Sequence, residues 1–337
     1  MEDVSYWLPV IWAGIIGTAV GLYVLLDGFD LGIGILFPAS PSEEDRDVMM
    51  NSVAPFWDGN QTWLVMGGGG LFVAFPLAYA IIMSAVYLPV MIMLLALVFR
   101  GVAFEFRWVS KPKHQFWDLA FSGGSIVAAF MQGVILGTLV QGIPVKDGAY
   151  SGGSFDWLTP FSVFTGLATA AGYALLGACW LVMKTEGEVA EVSRQRAKLL
   201  LIVALADIAI VSLWTPFAMP RIFERWFAMP NILYLSPVPV LTALAAYTCW
   251  HGLETRHDTQ PFLGALGLFL LGLLGLAIST LPYLVPPSIT IWDAAAHPSS
   301  QKFMLAGTAI MLPVILGYIV YVYRTFRGKI RAGEGYH

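Results

Sequence analysis

The sequence contains few charged residues. Asp, Glu, Lys and Arg make up 12% of its 337 residues, whereas hydrophobic residues make up 58%. Because a typical soluble domain carries about 25% charged residues, this composition excludes an ordinary soluble protein and indicates one embedded in a membrane. We expect no nucleic-acid partner, and the net charge of -4 points to no other class of partner.

Histidine and cysteine are also scarce. The sequence has five histidines, all in or next to predicted loops or the tail: His114, His251, His257, His297 and His337. Because a bis-histidine haem site in a membrane needs histidines inside the helices, we predict that this chain binds neither haem nor metal. Cys179 and Cys249 lie inside apolar runs, so we expect small-residue packing rather than a disulfide.

Motifs of soluble active sites are missing from the sequence as well. It has no Walker motif, no HExxH, no CxxC and no dinucleotide fingerprint. We therefore predict no catalytic residues in this chain alone.

Long apolar runs fill most of the chain, and each is long enough for the roughly 20 residues that a membrane-spanning helix needs. The run 59–99 is too long for one crossing, and Pro76 offers a reversal that would divide it. We predict a single all-α, polytopic membrane domain over residues 1–337, with two four-helix bundles and one peripheral helix. The nine predicted helices are 8–37, 59–75, 77–99, 118–142, 160–183, 199–219, 236–253, 261–285 and 303–323.

The basic residues predict how the chain is oriented. With nine crossings, 14 of the 18 Lys and Arg residues fall on one face and 4 on the other. Because Lys and Arg collect on the cytoplasmic side of a membrane, this bias predicts a periplasmic N-terminus and a cytoplasmic C-terminus. The opening residues lack the basic region of a signal peptide, so we expect the first helix to be retained.

Three acidic residues lie where an apolar chain should avoid charge. Asp27 and Asp30 are near the end of the first apolar run, and their spacing places them on one face of a helix. Asp58 precedes the second run on the same side of the membrane. Acids at membrane depth usually face a bundle interior or a hydrated path, so we predict a cytoplasmic entrance for protons that all three carboxyl groups line.

Other roles for these residues stay open from the sequence. Asp58 could cap the N-terminus of its helix, and Asp27 and Asp30 could bind backbone turns or pair with Arg46. A second polar cluster, FRGVAFEFRW, follows the third predicted helix. Its charged residues could anchor the chain to the cytoplasmic face, form a local ion pair or contact a partner; they are Arg100, Glu105 and Arg107.

Three segments resemble subunit II of cytochrome bd-type quinol oxidases: DGFDLGIG at 27–34, NSVAPFWDGNQTWL at 51–64 and FRGVAFEFR at 99–107. The resemblance is specific over about the first 110 residues and extends beyond them only in hydropathy. It implies a subunit of a bacterial inner-membrane respiratory complex that oxidises ubiquinol or menaquinol and reduces oxygen to water.

The resemblance also implies partners and cofactors. The haems b and the haem d would belong to subunit I, which forms a heterodimer with this chain and packs mostly on its first four helices. A small single-helix accessory subunit and membrane lipid are further expected partners. Nothing in the sequence marks a quinone site.

The resemblance assigns roles to particular residues. Asp58, with Trp57 beside it, would form the cytoplasmic entry of a proton path, and Asp27 and Asp30 match the acidic pair of the first helix. Asn60 and Gln61 would hydrate or orient the entrance.

Two other classes of function remain as alternatives. Acids within the membrane and helices interrupted by glycine would also suit a proton-coupled secondary transporter, and a purely structural assembly subunit would leave Asp58 as a helix cap. Acids at the cytoplasmic mouth rather than at the midplane favour the oxidase subunit.

Overall fold

The computed structural model describes residues 2–40, 42–110 and 114–330. Most of these residues lie in thirteen α-helices. In chain order the helices are α1 (Glu2–Leu36), α2 (Glu43–Asn51), α3 (Trp57–Ala74), α4 (Pro76–Ala85), α5 (Tyr87–Val109), α6 (Gln115–Gln141), α7 (Pro160–Lys184), α8 (Gly187–Ala218), α9 (Pro220–Phe227), α10 (Asn231–Leu235), α11 (Pro237–Glu254), α12 (Gln260–Thr280) and α13 (Pro298–Thr325).

Short elements connect some of these helices. A single 3-10 turn, Phe37–Ala39, follows α1. Two antiparallel hairpins lie in the α6–α7 and α12–α13 connections. Their strands are β1 (Val145–Lys146) with β2 (Ala149–Tyr150), and β3 (Tyr283–Val285) with β4 (Ile289–Thr290). The first hairpin turns at Asp147 and Gly148, both with positive φ, as a two-residue turn of this kind requires.

Within the described residues, eight helices are long and apolar enough to cross a membrane: α1, α5, α6, α7, α8, α11, α12 and α13, with the α11 span starting at Asn231. The protein is therefore an all-helical, multi-pass membrane protein. Helix α3 has 18 residues but is not among the eight. Its first turns carry Asp58, Asn60 and Gln61, which lower its hydropathy.

The structure corrects the prediction for residues 59–99. The chain does break at Pro76, but the residues that follow form a separate ten-residue helix, α4, and the long helix α5 begins only at Tyr87. Pro89 explains the second break. In a continuous helix its ring would clash with the carbonyl group of the residue four positions earlier, and it has no N–H to donate to that group. That carbonyl belongs to Ala85, the last residue of α4.

Five other predicted boundaries were wrong by five residues or more. Helix α1 begins at Glu2 rather than at 8, α5 ends at Val109 rather than at 99, and α13 begins at Pro298 rather than at 303. The remaining two have a local reason each. Helix α12 ends at Thr280 rather than at 285, because Pro282 disfavours helical backbone at the residue before it. Helix α8 begins at Gly187 rather than at 199. Its first turns are rich in Glu, Arg, Lys and Ala, which form helices readily outside the membrane as well.

Helix α1 lies at the centre of the fold, in contact with α3, α6, α7, α12 and α13. Its closest approach is to α7, where Gly32 and Gly177 face each other. A Cβ atom added at Gly32 would lie 1.8 Å from the carbonyl oxygen of Tyr173, and one at Gly177 would lie 2.5 Å from the carbonyl carbon of Gly32. Small residues of this kind let helix backbones pack closely in a membrane.

The segment that follows α13 folds back onto α7 and the α11–α12 connection. The Lys184 ammonium group donates to the carbonyl oxygens of Phe326, at 2.5 Å, and of Gly328, at 2.9 Å. Asp258 accepts from Arg194 at 2.8 Å and from Lys329 at 2.7 Å. Partial burial raises the pKa of Asp258, but hydrogen bonds and charge from Lys329 and Arg194 outweigh it and hold this pKa below its usual range.

The contact between α1 and α7 predicts a cost for any side chain at Gly32. We expect Gly32→Ala to destabilise the protein by about 1–3 kcal/mol, the usual cost of an overpacked core, because the clash is with backbone. The matched control is Gly17→Ala in the same helix, where an added Cβ has no neighbour within 4 Å. A lower melting temperature for Gly32→Ala than for Gly17→Ala checks the prediction, and equal values would contradict it.

Candidate functional site

Asp27 and Asp30 share one buried arginine. Both carboxyl groups project from α1 toward Arg100 of α5, and all three side chains are 0% exposed. The Arg100 Nη1 atom lies 2.8 Å from Asp27 Oδ1, and its Nη2 atom lies 3.9 Å from Asp30 Oδ2. The three-residue spacing thus places both acids on one face of the helix, as the sequence predicts, and we call these residues the Asp27–Arg100–Asp30 triad.

The surrounding sequence makes room for this triad. Gly124 of α6 lies against α5 at Arg100, and a Cβ atom there would come within 2.6 Å of the Ala96 carbonyl oxygen and 3.1 Å of Arg100 Cβ. The ring of Phe104 lies 5.9 Å from the guanidinium carbon of Arg100. Close helix packing and an aromatic face therefore hold the guanidinium in place.

The charges within the triad do not balance unless one proton is bound. Arginine stays protonated inside proteins, so one guanidinium faces two carboxyl groups. An uncompensated charge buried in a low-dielectric interior is costly. The neutral arrangement is one arginine, one carboxylate and one protonated carboxylic acid, which gives the triad a site for one exchangeable proton.

Asn60 links the triad to α3 and α13. Its amide nitrogen donates to Asp30 Oδ2 at 2.8 Å and to the Leu26 carbonyl oxygen at 3.3 Å. Its amide oxygen accepts a hydrogen bond from the Tyr323 hydroxyl at 3.0 Å. Asn60 is 1% exposed, so this predicted site residue does contact the acidic pair.

A second chain of hydrogen bonds begins at Tyr23, one helical turn before Asp27 in α1. The Gln132 amide nitrogen of α6 donates to the Tyr23 oxygen at 2.7 Å, and the Tyr173 hydroxyl of α7 donates to the Gln132 amide oxygen at 2.7 Å. Sequence reasoning missed these three residues, and only the four-residue spacing of Tyr23 and Asp27 could have signalled one of them.

Asp58 occupies a different environment from the other two acids. It is exposed in the first turn of α3, whereas Asp27 and Asp30 are fully buried, so the three carboxyl groups do not line one open mouth as predicted. The N-cap position of α3 belongs to Phe56, and Asp58 is therefore not the N-cap residue. A carboxylate in the first turn still interacts favourably with the helix dipole.

The two neighbours of Asp58 in the predicted entrance differ in their contacts. Trp57 stacks on Phe104, with ring centroids 4.7 Å apart and 2° between the planes, and Phe104 in turn lies beside Arg100. Gln61 is partly buried. Trp57 therefore connects the start of α3 to the arginine of the triad through one aromatic ring.

Among the described residues, Arg100 and Arg107 pair with acids of other helices rather than with Glu105. Arg107 is buried and turns toward other helices, with its Nη1 atom 2.5 Å from Asp47 Oδ1 and its Nε atom 2.6 Å from Asp118 Oδ1. Arg100 pairs with the acids of α1 instead, and Glu105 is exposed. The two arginines face the bundle interior, where charge needs partners, while Glu105 faces outward.

Arg46 is not the partner of Asp27 or Asp30 either. Its Nε atom lies 3.7 Å from Asp118 Oδ2, in the cluster around Arg107. His114 lies in the same cluster, with its Nε2 atom 3.6 Å from Asp118. This cluster joins α2, α5 and α6 at the end of the fold where α5 ends.

The described histidines lie at helix ends or in a connection between helices. His114 and His297 are the N-cap residues of α6 and α13, His251 lies in the last turn of α11, and His257 is in the connection after it. In the described ranges, no group of three or more His, Cys, Asp or Glu side chains could hold a metal. His337 lies outside the described residues.

Fold and site together define a multi-pass helical membrane protein with a buried acid–arginine network. A family described as cytochrome bd terminal oxidase subunit II matches residues 8–326. The chain belongs to this family, which confirms the resemblance seen in the three motifs and extends it along nearly the whole sequence. Subunits of this family act within oxidoreductase complexes.

Curated relatives agree with this family, and a solved structure has the same fold. The chain is 28% identical to cytochrome bd-I ubiquinol oxidase subunit 2 of Escherichia coli (strain K12), covering 96% of this chain and 95% of that protein. It is 28% identical to cytochrome bd ubiquinol oxidase subunit 2 of Bacillus subtilis (strain 168), and the match covers 96% of this chain and 97% of that protein. The structure of bd oxidase from Geobacillus thermodenitrificans contains a chain of the same fold, with a TM-score of 0.80 at 16% identity, covering 95% of this chain and 98% of that one.

The unbalanced triad predicts a large effect for removing its positive charge. We expect Arg100→Met to reduce the free energy of unfolding by about 3–5 kcal/mol, because it leaves buried acids without their partner. Adding Asp27→Asn to Arg100→Met should recover part of the loss. Thermal unfolding of the purified protein measures both effects.

The matched control is Arg256→Met, which removes an exposed pair with Glu191. An exposed pair of this kind contributes about 0–1 kcal/mol. Equal melting temperatures for Arg100→Met and Arg256→Met would show that the triad is not an electrostatic unit.

Proposed function

We propose that the chain is a non-haem subunit of a bacterial inner-membrane terminal oxidase, which oxidises quinol and reduces oxygen to water. In this proposal it supports the haem-bearing subunit I and supplies a proton-uptake route from the cytoplasm. The observation that carries the proposal is the fully buried Asp27–Arg100–Asp30 triad, whose charges would balance with one bound proton and which is hydrogen-bonded to Asn60, two residues from the exposed Asp58.

The proposed topology has nine crossings. Helix α3 is the ninth, since its 18 residues extend about 27 Å at 1.5 Å per residue, close to the thickness of the hydrocarbon core. The N-terminus is then periplasmic and the C-terminus cytoplasmic. This orientation places Asp58 and the Arg107 cluster on the cytoplasmic side, together with most of the basic residues.

The cofactors of the complex belong to the partner in this proposal. Subunit I holds the haems b and the haem d and supplies the chemistry of oxygen reduction. Quinol is the electron donor, and a small single-helix subunit and lipid complete the assembly. This chain contributes packing surface and protons.

The proposed route begins at Asp58 and continues through the start of α3. Asp58 meets solvent, and Trp57 and Gln61 flank it. Asn60 then contacts Asp30, where the exchangeable proton of the triad is available for transfer toward subunit I. Family membership favours this role over a proton-coupled transporter, because the named relatives are oxidase subunits.

The route predicts that removing either acid slows turnover without unfolding the complex. In the complex purified with its haem-bearing partner, we expect Asp58→Asn and Asp30→Asn each to lower quinol-dependent oxygen consumption by at least about tenfold, within the range of proton-transfer effects. The haem absorption spectrum should be unchanged, since neither residue binds a cofactor.

The control is Glu44→Gln, an exposed acid of α2 outside the proposed route, which should retain wild-type oxygen consumption. Full turnover in both Asp variants would refute the proton route. Purification of the tagged wild-type chain without any haem-bearing subunit would refute the assignment as an oxidase subunit.

A further inference from the structure

Tyr323 connects the end of α13 to the residues around the triad. Its hydroxyl group donates to the Asn60 amide oxygen at 3.0 Å. Its ring packs on Phe56, with ring centroids 4.6 Å apart, and meets Trp180 edge to face at 6.4 Å. Because Phe56 is the N-cap residue of α3, both the hydroxyl group and the ring of Tyr323 contact the start of that helix.

The hydrogen bond from Tyr323 favours one orientation of the Asn60 amide group. The amide nitrogen donates to Asp30 Oδ2 at 2.8 Å and to the Leu26 carbonyl oxygen at 3.3 Å, while the amide oxygen accepts from Tyr323. An amide turned the other way would direct its oxygen at the Leu26 carbonyl oxygen, which has no hydrogen to donate. A buried acceptor without a donor is costly, so Tyr323 stabilises the orientation in which the nitrogen faces Asp30.

Helix α13 itself packs loosely on the rest of the fold. Gln301, in its first turn, is the only buried residue of this helix, and it donates to the Ala74 carbonyl oxygen at the end of α3 at 3.1 Å. The other side chains of α13 are partly buried or exposed. The position of Tyr323, near the opposite end, therefore depends on what holds the chain there.

Lys184, the last residue of α7, holds the chain that follows α13. Its side chain is buried, and its ammonium group donates to the carbonyl oxygens of Phe326 and Gly328. Its own carbonyl oxygen accepts from the Ile330 N–H at 2.8 Å. Phe326 is the C-cap residue of α13, and the carbonyl groups at a helix C-terminus carry partial negative charge. The ammonium group therefore binds this end of α13 by charge as well as by hydrogen bonds.

The same ammonium group lies beside the two aromatic rings on which Tyr323 packs. Lys184 Nζ is 5.5 Å from the centroid of the Phe56 ring and 5.6 Å from that of the Trp180 ring. A cation at such a distance is attracted to the face of an aromatic ring. Lys184 thus contacts both the chain after Tyr323 and the rings beneath it.

We propose that Lys184 and Tyr323 are positioning residues for the triad. Lys184 fixes the end of α13, and Tyr323 turns the Asn60 amide nitrogen toward the buried acids. This inference rests on the proposed function, in which Asn60 connects the entrance at Asp58 to the triad. Tyr323 carries no proton along the route and acts on the rate only through Asn60.

Tyr323→Phe tests the contact with Asn60, because it removes the hydroxyl group and keeps the ring. In the complex purified with its haem-bearing partner, we expect the maximal rate of quinol-dependent oxygen consumption to fall about two- to tenfold, the effect of one lost hydrogen bond. The KM for quinol and the haem absorption spectrum should be unchanged. The control is Tyr318→Phe, a tyrosine of the same helix that is 63% exposed, which should keep the wild-type rate.

A double-mutant cycle separates positioning from a general structural effect. Asn60→Ala removes the amide group that Tyr323 orients, so adding Tyr323→Phe to it should cause no further fall in the maximal rate. Effects that multiply in the double variant would show that the two residues act independently and would overturn the inference. A wild-type rate in Tyr323→Phe alone would overturn it as well.

Lys184→Met tests the other end of the contact, because it keeps the length of the side chain and removes the ammonium group. We expect the maximal rate to fall as in Tyr323→Phe, with no further fall when the two changes are combined. The control is Lys198→Met, which removes an exposed pair with Glu254 and should keep the wild-type rate. A wild-type rate in Lys184→Met would show that Lys184 has no positioning role. Tyr323→Phe keeps the test decisive if Lys184→Met prevents assembly.

These outcomes are distinguishable from failure of the proton route. Full turnover in Asp58→Asn and Asp30→Asn would refute the route itself. Reduced turnover in those two variants, together with wild-type rates in Tyr323→Phe and Lys184→Met, would leave the route intact and overturn the positioning role.

Discussion

The buried contact between Arg100 and the two acids of α1 constrains the rest of the structure. A guanidinium removed from water must find its partners inside the protein, so α5 and α1 have one favourable register relative to each other. Gly124 lets α6 approach that contact, and Asn60 brings the start of α3 to it. The burial of the polar site and the packing of the helices around it therefore depend on each other.

The sequence predicts the class of this protein well because long runs of high hydropathy directly predict membrane-spanning helices. Helix α7 begins where predicted and ends within one residue, and α11 differs by one residue at each end. The errors occur where local chemistry overrides hydropathy. Pro89 and Pro282 stop helices inside apolar runs. The charged segment before residue 199 is helical, although its charge predicts a position outside the membrane-spanning helix.

The candidate site was only partly predictable. Acidic residues in an apolar run stand out by composition, and their spacing places Asp27 and Asp30 together. The partner of those acids does not stand out, because Arg100 is 70 residues further along the chain and looks like a cytoplasmic anchor. Gln132 and Tyr173 are ordinary polar residues of two other helices, and only the three-dimensional packing brings them into line with Tyr23.

The hydrogen bond from Tyr323 to Asn60 has a consequence for biogenesis. Asn60 is in α3 and leaves the ribosome well before Tyr323, which is in α13, the last of the described helices. During synthesis from the N-terminus, the Asn60 amide oxygen must wait for its donor until all intervening helices have been inserted. The polar centre of the subunit is therefore completed only after α13 has left the ribosome, so that a chain stopped before α13 lacks the finished network.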